Sequence, residues 1–133
     1  MLRLPSFRIL VVDDFEPFRQ FVCSTLATRA ELQVVGEASD GLEAVQKALE
    51  LKPDLIIMDM GLPSLNGLEA ARKILEFISE SKIIFLSQES STDVVREAMD
   101  SGAWGYVVKA KAGAELLAAV ETVISGKRFV SSA

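Results

Sequence analysis

The residues in this chain most capable of chemistry are carboxylates placed where apolar runs end. Asp13 and Asp14 follow Ile9-Leu10-Val11-Val12, and Asp59 follows Leu55-Ile56-Ile57-Met58. Two adjacent carboxylates repel, and a hard divalent cation relieves that repulsion; Mg²⁺ prefers oxygen ligands and typically keeps several waters. A carboxylate against an apolar wall but at an open end is accessible and oriented. It can ligate a metal or act as a nucleophile that forms an acyl phosphate. Ser87 and Lys109 also close apolar runs. A hydroxyl can donate to a phosphoryl oxygen, and a lysine supplies a mobile point charge for it. Each residue alone also fits an ordinary strand end or helix cap, where such side chains are common. Together they specify more: three carboxylates to hold a cation, with cation and lysine to neutralise a transferring phosphoryl group.

For these residues to meet, the chain must carry them to one edge of one sheet. Strands are expected at 8–13, 32–37, 54–59, 82–87 and 104–109. The runs 9–12, 55–58 and 83–86 are continuously apolar rather than alternating. That pattern suits strands buried on both faces of a parallel sheet. Helical spacing fills the intervals. Phe15, Phe18, Val22 and Leu26 form one stripe, with Pro17 suited to a first turn. Leu42, Val45 and Leu49 form a second, and Leu68, Ala71 and Leu75 a third. Val95, Ala98 and Met99 form a fourth, and Leu116, Val120, Val123 and Ile124 a fifth. Asp40 with Glu43 and Asn66 with Glu69 read as capping boxes. Gly102 and Gly126 read as helix C-caps. Five strand-helix units imply right-handed crossovers and a doubly wound, five-stranded parallel α/β sheet with five helices. In such a sheet, sites form beyond the carboxyl ends of the strands, where Asp13, Asp14, Asp59, Ser87 and Lys109 all fall.

Composition narrows the rest. The chain has 133 residues, half of them hydrophobic and a quarter charged, which suits one folded domain. Nonspecific grip on nucleic acid or an anionic membrane needs a basic face, so a formal net charge of -5 makes this domain alone a poor candidate for either. No stretch approaches the roughly 20 apolar residues of a membrane span, and residues 1–6 do not read as a secretory signal. The single cysteine, Cys23, cannot form an internal disulfide, which fits a reducing cytosol. Histidine is absent. That excludes Ser-His or Cys-His catalysis and His-ligated metals. It also means that a phosphohistidine donor must be another molecule. Residues 1–126 read as one domain, and residues 127–133 as a tail or the start of a linker.

The quoted residues resemble the active site of a response regulator receiver domain. The likeness rests on Val11-Val12-Asp13-Asp14, Met58-Asp59-Met60-Gly61-Leu62-Pro63 with Asn66-Gly67, Leu86-Ser87, and Gly102-Ala103-Trp104-Gly105-Tyr106 running to Lys109. Val35-Gly36-Glu37-Ala38 with Asp40-Gly41, and the 102–109 stretch, most resemble the NarL/FixJ subfamily. The resemblance implies a flavodoxin-like, CheY-like fold with Asp59 as phosphoacceptor. It implies Mg²⁺ held by Asp14, Asp59 and the Gly61 carbonyl, with Asp13 acting mainly through water. Ser87 and Lys109 would bind the phosphoryl oxygens. Tyr106 would be the switch aromatic that turns inward as Ser87 moves toward the phosphate, although from its strand alone it reads as a core residue. The donor would be a sensor histidine kinase or phosphotransfer protein. The output would be a changed surface on the fourth helix, fifth strand and fifth helix, met by a partner or a second copy of the chain. The domain would catalyse its own phosphorylation and dephosphorylation.

Two positions depart from the family pattern. Gln88 stands where the residue is commonly small, and Ala110 where a cis-proline is often found; a cis bond before another residue costs about 2.5–4 kcal/mol. Subfamily members usually carry a C-terminal helix-turn-helix. A chain ending at Ala133 leaves no room for one, so a stand-alone receiver or a piece cut before an effector is expected. Two other readings compete. A haloacid-dehalogenase-like phosphatase also uses an Asp nucleophile with Mg²⁺, but needs a second Asp where Gly61 stands. A phosphorylation-independent interaction module could keep the fold without the chemistry. A glycine-rich nucleotide site is excluded, because Val35-Gly36-Glu37 lacks the required pattern.

Overall fold

The computed structural model describes residues 6–131. Among the described residues, six strands and five helices alternate. The strands are β1 (Phe7–Val12), β2 (Leu32–Ala38), β3 (Leu55–Asp59), β4 (Lys82–Ser87), β5 (Gly105–Val108) and β6 (Phe129–Val130). The helices are α1 (Glu16–Leu26), α2 (Gly41–Leu51), α3 (Gly67–Phe77), α4 (Thr92–Asp100) and α5 (Ala112–Ile124), with a 3₁₀ turn at Lys109–Lys111. The sheet order is β2-β1-β3-β4-β5-β6, and every pairing is parallel.

The continuous apolar runs are explained by two cores, one on each face of the sheet. Successive side chains of a strand point to opposite faces. Ile9 and Val11 of β1 therefore join Val22, Leu26, Leu116 and Val120 of α1 and α5. Leu10 and Val12 join Ala44, Ala48, Ala71 and Ile74 of α2 and α3. Apolar residues are needed at every position because neither face meets water.

The caps follow their local chemistry. Asp40 accepts from the Glu43 amide at 2.8 Å and Asn66 from the Glu69 amide at 2.9 Å. The Glu43 carboxylate reaches back to the Ser39 amide at 2.7 Å, one residue earlier than a standard box. That bond holds its pKa below the usual carboxylate value. Gly102 and Gly126 adopt φ of 106° and 94° just beyond α4 and α5, a conformation that favours glycine.

Two expectations need correction. Of the stripe Leu42, Val45, Leu49 only Val45 packs against the core: Leu42 is 60% and Leu49 38% exposed, while Gly41, Ala44 and Ala48 are buried. Space decides this, because a Cβ at Gly41 would collide with the Leu65 carbonyl. Such close packing fills the innermost face with small side chains, and Leu42 and Leu49 turn outward. The sheet also has six strands, not five. Within the stretch read as a tail, Phe129–Val130 pairs in parallel with β5. The Phe129 amide donates to Trp104 O at 3.0 Å, and the Ser131 amide to Tyr106 O at 2.8 Å. Ser131 Oγ accepts from the Val108 amide at 2.9 Å and donates to Glu115 at 2.7 Å. A two-residue strand carries too little periodicity to be read, and it forms because β5 would otherwise offer unpaired edge groups. The first five residues and the last two lie outside the described residues, so the reading of 1–6 is met only at Ser6.

Candidate active site

The carboxyl ends of β1, β3, β4 and β5 open on a cleft of about 770 Å³ lined by Asp14, Asp59, Gly61, Ser87 and Lys109, among others. Parallel pairing of β1 with β3, β3 with β4 and β4 with β5 delivers these residues to one edge. Asp13, Asp14 and Asp59 each offer a carboxylate oxygen within 4.8 Å of the others. Asp13 is fully buried, Asp59 nearly so, and Asp14 is exposed to the cleft.

Backbone amides fix two of the carboxylates. Asp13 Oδ1 accepts from the Phe15 amide at 2.9 Å, and Asp59 Oδ1 from the Gly61 amide at 3.0 Å. Their second oxygens face the same cation: Lys109 Nζ lies 2.9 Å from Asp13 Oδ2 and 3.4 Å from Asp59 Oδ2. Among the described residues, Asp13 Oδ2 is the buried side-chain oxygen that makes no hydrogen bond. The lysine is close enough to attract its charge without the alignment of a hydrogen bond. Burial pushes the Asp59 carboxyl above its ordinary pKa. The Gly61 amide and the Lys109 ammonium work against that rise, and the Asp13 charge adds to it.

Three carboxylates thus cluster with only two of them facing one ammonium, and one buried oxygen has an unused lone pair. This excess of hard, negative oxygen donors fits a divalent cation. Gly67 closes the floor, since a Cβ there would overlap the Asp59 carbonyl; its amide donates to Met60 O at 3.0 Å. The start of α3 is thereby pressed against the end of β3.

Ser87 is buried at the end of β4, and its Oγ accepts from the Glu89 amide at 3.0 Å. Tyr106 is fully buried in the core with its hydroxyl donating to Glu89 O at 2.6 Å. Burial raises the pKa of this phenol, and a hydrogen bond with Ser87 works against the rise. The two residues are therefore linked through one short loop, with the ring already inward. Gln88 and Ala110 line the mouth of the cleft, both exposed, and every peptide bond among the described residues is trans.

Two features escaped the sequence. Arg19 Nη1 donates to Asp13 O at 2.8 Å while its Nε pairs with Glu37 at 2.9 Å, tying α1 to the acidic corner. Phe18 places its ring under Lys109, with Nζ 4.8 Å from the ring centroid. Helical spacing marks Phe18 as a stripe member, and no local pattern separates a ring facing the core from one facing a cation.

The family model of the response regulator receiver domain matches residues 9–121. This chain belongs to that family. Among curated relatives, response regulator GacA of Pseudomonas viridiflava is 38% identical over 124 residues, covering 93% of this chain and 58% of the relative. Transcriptional regulatory protein LiaR of Bacillus subtilis is 36% identical over 125 residues, covering 94% and 59%. The chain thus spans under two thirds of the length of these relatives. Among solved structures, a LuxR-family two-component response regulator from Aurantimonas sp. superposes with a TM-score of 0.89 at 33% identity, covering 93% of this chain and 89% of that one. The receiver domain of the putative response regulator NarL from Mycobacterium tuberculosis gives 0.87 at 27%, covering 93% and 100%. The likeness to the NarL/FixJ subfamily therefore holds across sequence and structure. The receiver assignment displaces the haloacid-dehalogenase reading, which Gly61 had already weakened. No helix among the described residues is long and apolar enough to cross a membrane.

Proposed function

We propose that Asp59 of this receiver domain accepts a phosphoryl group from a phosphohistidine on a sensor histidine kinase or phosphotransfer protein. The observation that carries this reading is the convergence of three carboxylates within 4.8 Å, with Lys109 bridging Asp13 and Asp59 at an open cleft. Asp59 Oδ2 attacks phosphorus, an O–P bond forms, the P–N bond breaks, and the imidazole leaves with the nitrogen's electron pair. Oδ1 stays on the Gly61 amide, so the carboxylate cannot rotate away from the incoming group. Lys109 already stands beside Oδ2 and meets the new phosphoryl charge without a large movement. Asp13, Asp14, Asp59 and the Gly61 carbonyl would hold Mg²⁺, which supplies neutralisation of the phosphoryl oxygens in the transition state. Attack of water on phosphorus then returns the free carboxylate and inorganic phosphate, so the domain catalyses its own resetting and turns over no other substrate.

The acyl phosphate adds charge and strong acceptor oxygens at one point. Ser87 turns its hydroxyl toward them and carries the 87–89 loop with it. Because the Tyr106 hydroxyl is tied to Glu89 O, that movement is felt at β5, and the α4-β5-α5 surface changes its affinity for a partner or a second copy of the chain. The receiver unit is residues 1–126, acting in the cytoplasm, with 127–133 the start of a linker whose Phe129–Val130 also extends the sheet. Transcriptional output, as in the relatives named regulators, would come from other parts of a longer protein, since a net charge of -5 makes this segment a poor ligand for DNA. Incubation with phosphoramidate, with and without Mg²⁺, tests the reading by intact-mass spectrometry. Wild type gains one phosphoryl group only with the cation, and Asp59→Asn gains none; equal modification of Asp59→Asn overturns the acceptor assignment.

A further inference from the structure

Lys109 begins a 3₁₀ turn at the open end of β5, on a flexible four-carbon stem. A lysine there needs something to hold it that the reaction does not change. Its two carboxylate partners do not qualify. Asp59 is the group that becomes the acyl phosphate, and Asp13 Oδ2 holds the lysine by charge alone. The third contact is different in kind. The Phe18 ring lies 4.8 Å from Nζ, and its π-face attracts a cation without carrying a charge that can be titrated or shared out.

The ring is also well seated. Phe18 is half-buried and packs on the α1-α5 core. Phe21 lies against it at 5.6 Å between centroids with a 40° tilt. Phe21 in turn reaches Gly113 in the first turn of α5, where an added Cβ would stand 4.0 Å from its Cζ. Arg19 pins the same turn of α1 to the end of β1 through Asp13 O. The two phenylalanines thus span from the acidic corner to the helix that follows Lys109.

We infer that Phe18 is a positioning residue for phosphoryl transfer, holding the Lys109 ammonium through its ring face while the carboxylates change partners. This rests on the reading of Asp59 as acceptor. The ring lines the same cleft as Asp59, and the contact through which it acts on the reaction is its face against Lys109. A neutral aromatic also keeps the site's charge balance free for the incoming group, which a third carboxylate at this place would not.

Fluorination tests this without changing shape. Replacing Phe18 in the full chain by 3,4,5-trifluorophenylalanine keeps the packing and removes most of the ring's negative face. The expected result is about a fivefold fall in the maximal rate of Asp59 phosphorylation from phosphoramidate, a smaller fall with a single fluorine, and an unchanged Mg²⁺ half-saturation. Phe18→Tyr keeps the rate. A second readout does not depend on phosphorylation: the Lys109 ε-methylene protons are shifted upfield by the ring in wild type, and the shift is lost in Phe18→Leu. A trifluoro variant as fast as wild type overturns the inference while leaving Asp59 as acceptor. If wild type takes up no phosphoryl group, the acceptor reading fails instead. An absent upfield shift in wild type then separately overturns the placement of Lys109 over the ring.

Discussion

The two ends of this sheet are built from similar residues and balanced in opposite ways. At the amino ends of the strands, polar groups find partners that complete them. Asp54 accepts from the Arg8 amide at 2.8 Å, and Arg8 Nη1 reaches Leu51 O at 2.7 Å. Ser81 donates to Pro53 O at 2.6 Å, and Lys82 donates to Val123 O at 3.2 Å while lying 4.4 Å over the Trp104 ring. At the carboxyl ends, three carboxylates cluster and two of them share one lysine, Asp13 Oδ2 lacks a hydrogen bond, and Asp59 is held above its ordinary pKa mainly by burial. One end closes the fold; the other keeps an unbalanced cluster of carboxylates that could hold a metal ion. Incomplete satisfaction of buried polar groups, confined to one edge, is itself a marker of where the chemistry occurs.

The contrast can be broken most completely at Asp59. Asp59→Asn abolishes phosphorylation, and in the absence of divalent cations it melts a few degrees above wild type at neutral pH. The sign follows from the raised carboxyl pKa: a group whose folded pKa lies above its unfolded value withdraws stability as pH rises through the folded pKa. The advantage of Asp59→Asn therefore vanishes in acid, below the ordinary carboxylate range. Thermal melts at several pH values check it, and a variant that melts below wild type at pH 7 refutes it.

Lys109→Met comes next. It leaves Asp13 and Asp59 facing each other with no cation between them, and costs about 3 kcal/mol, the scale for removing one partner of a buried ion pair. Added Mg²⁺ recovers part of that loss by binding only the folded state. Urea denaturation with and without the ion measures both effects. Ser87→Ala removes one donor to the phosphoryl oxygens and slows phosphorylation about tenfold, with the fold intact. Quench-flow rates distinguish this from simple destabilisation.

The smallest effect is expected at the other end. Lys82→Met removes the cation from Trp104 and costs about 1 kcal/mol of stability, with no change in phosphorylation rate. A clear rate change there would mean that the two ends are not separable.

The doubly wound architecture was legible because its signals are local and repeated. Continuous apolar runs mark strands covered on both faces, and Asp40, Asn66, Gly102 and Gly126 mark helix ends through chemistry confined to a few residues. The site was legible for the same reason: Asp13, Asp14, Asp59, Ser87 and Lys109 each close such a run, and topology alone carries strand ends to one edge. The orientation of α2 was not legible. Leu42 and Leu49 look like a core stripe until the Leu65 carbonyl occupies the space over Gly41. β6 was also hidden, because two residues have no period and their partner lies on another element. Burial of Tyr106 was legible from its strand, but its hydroxyl's bond to Glu89 O, the orphaned oxygen of Asp13 and the Phe18 face under Lys109 depend on distances between side chains far apart in sequence. Sequence determined which groups reach the carboxyl edge of the sheet. Only tertiary packing decided which of them stay unsatisfied there, since that depends on which neighbours fill the space around each atom.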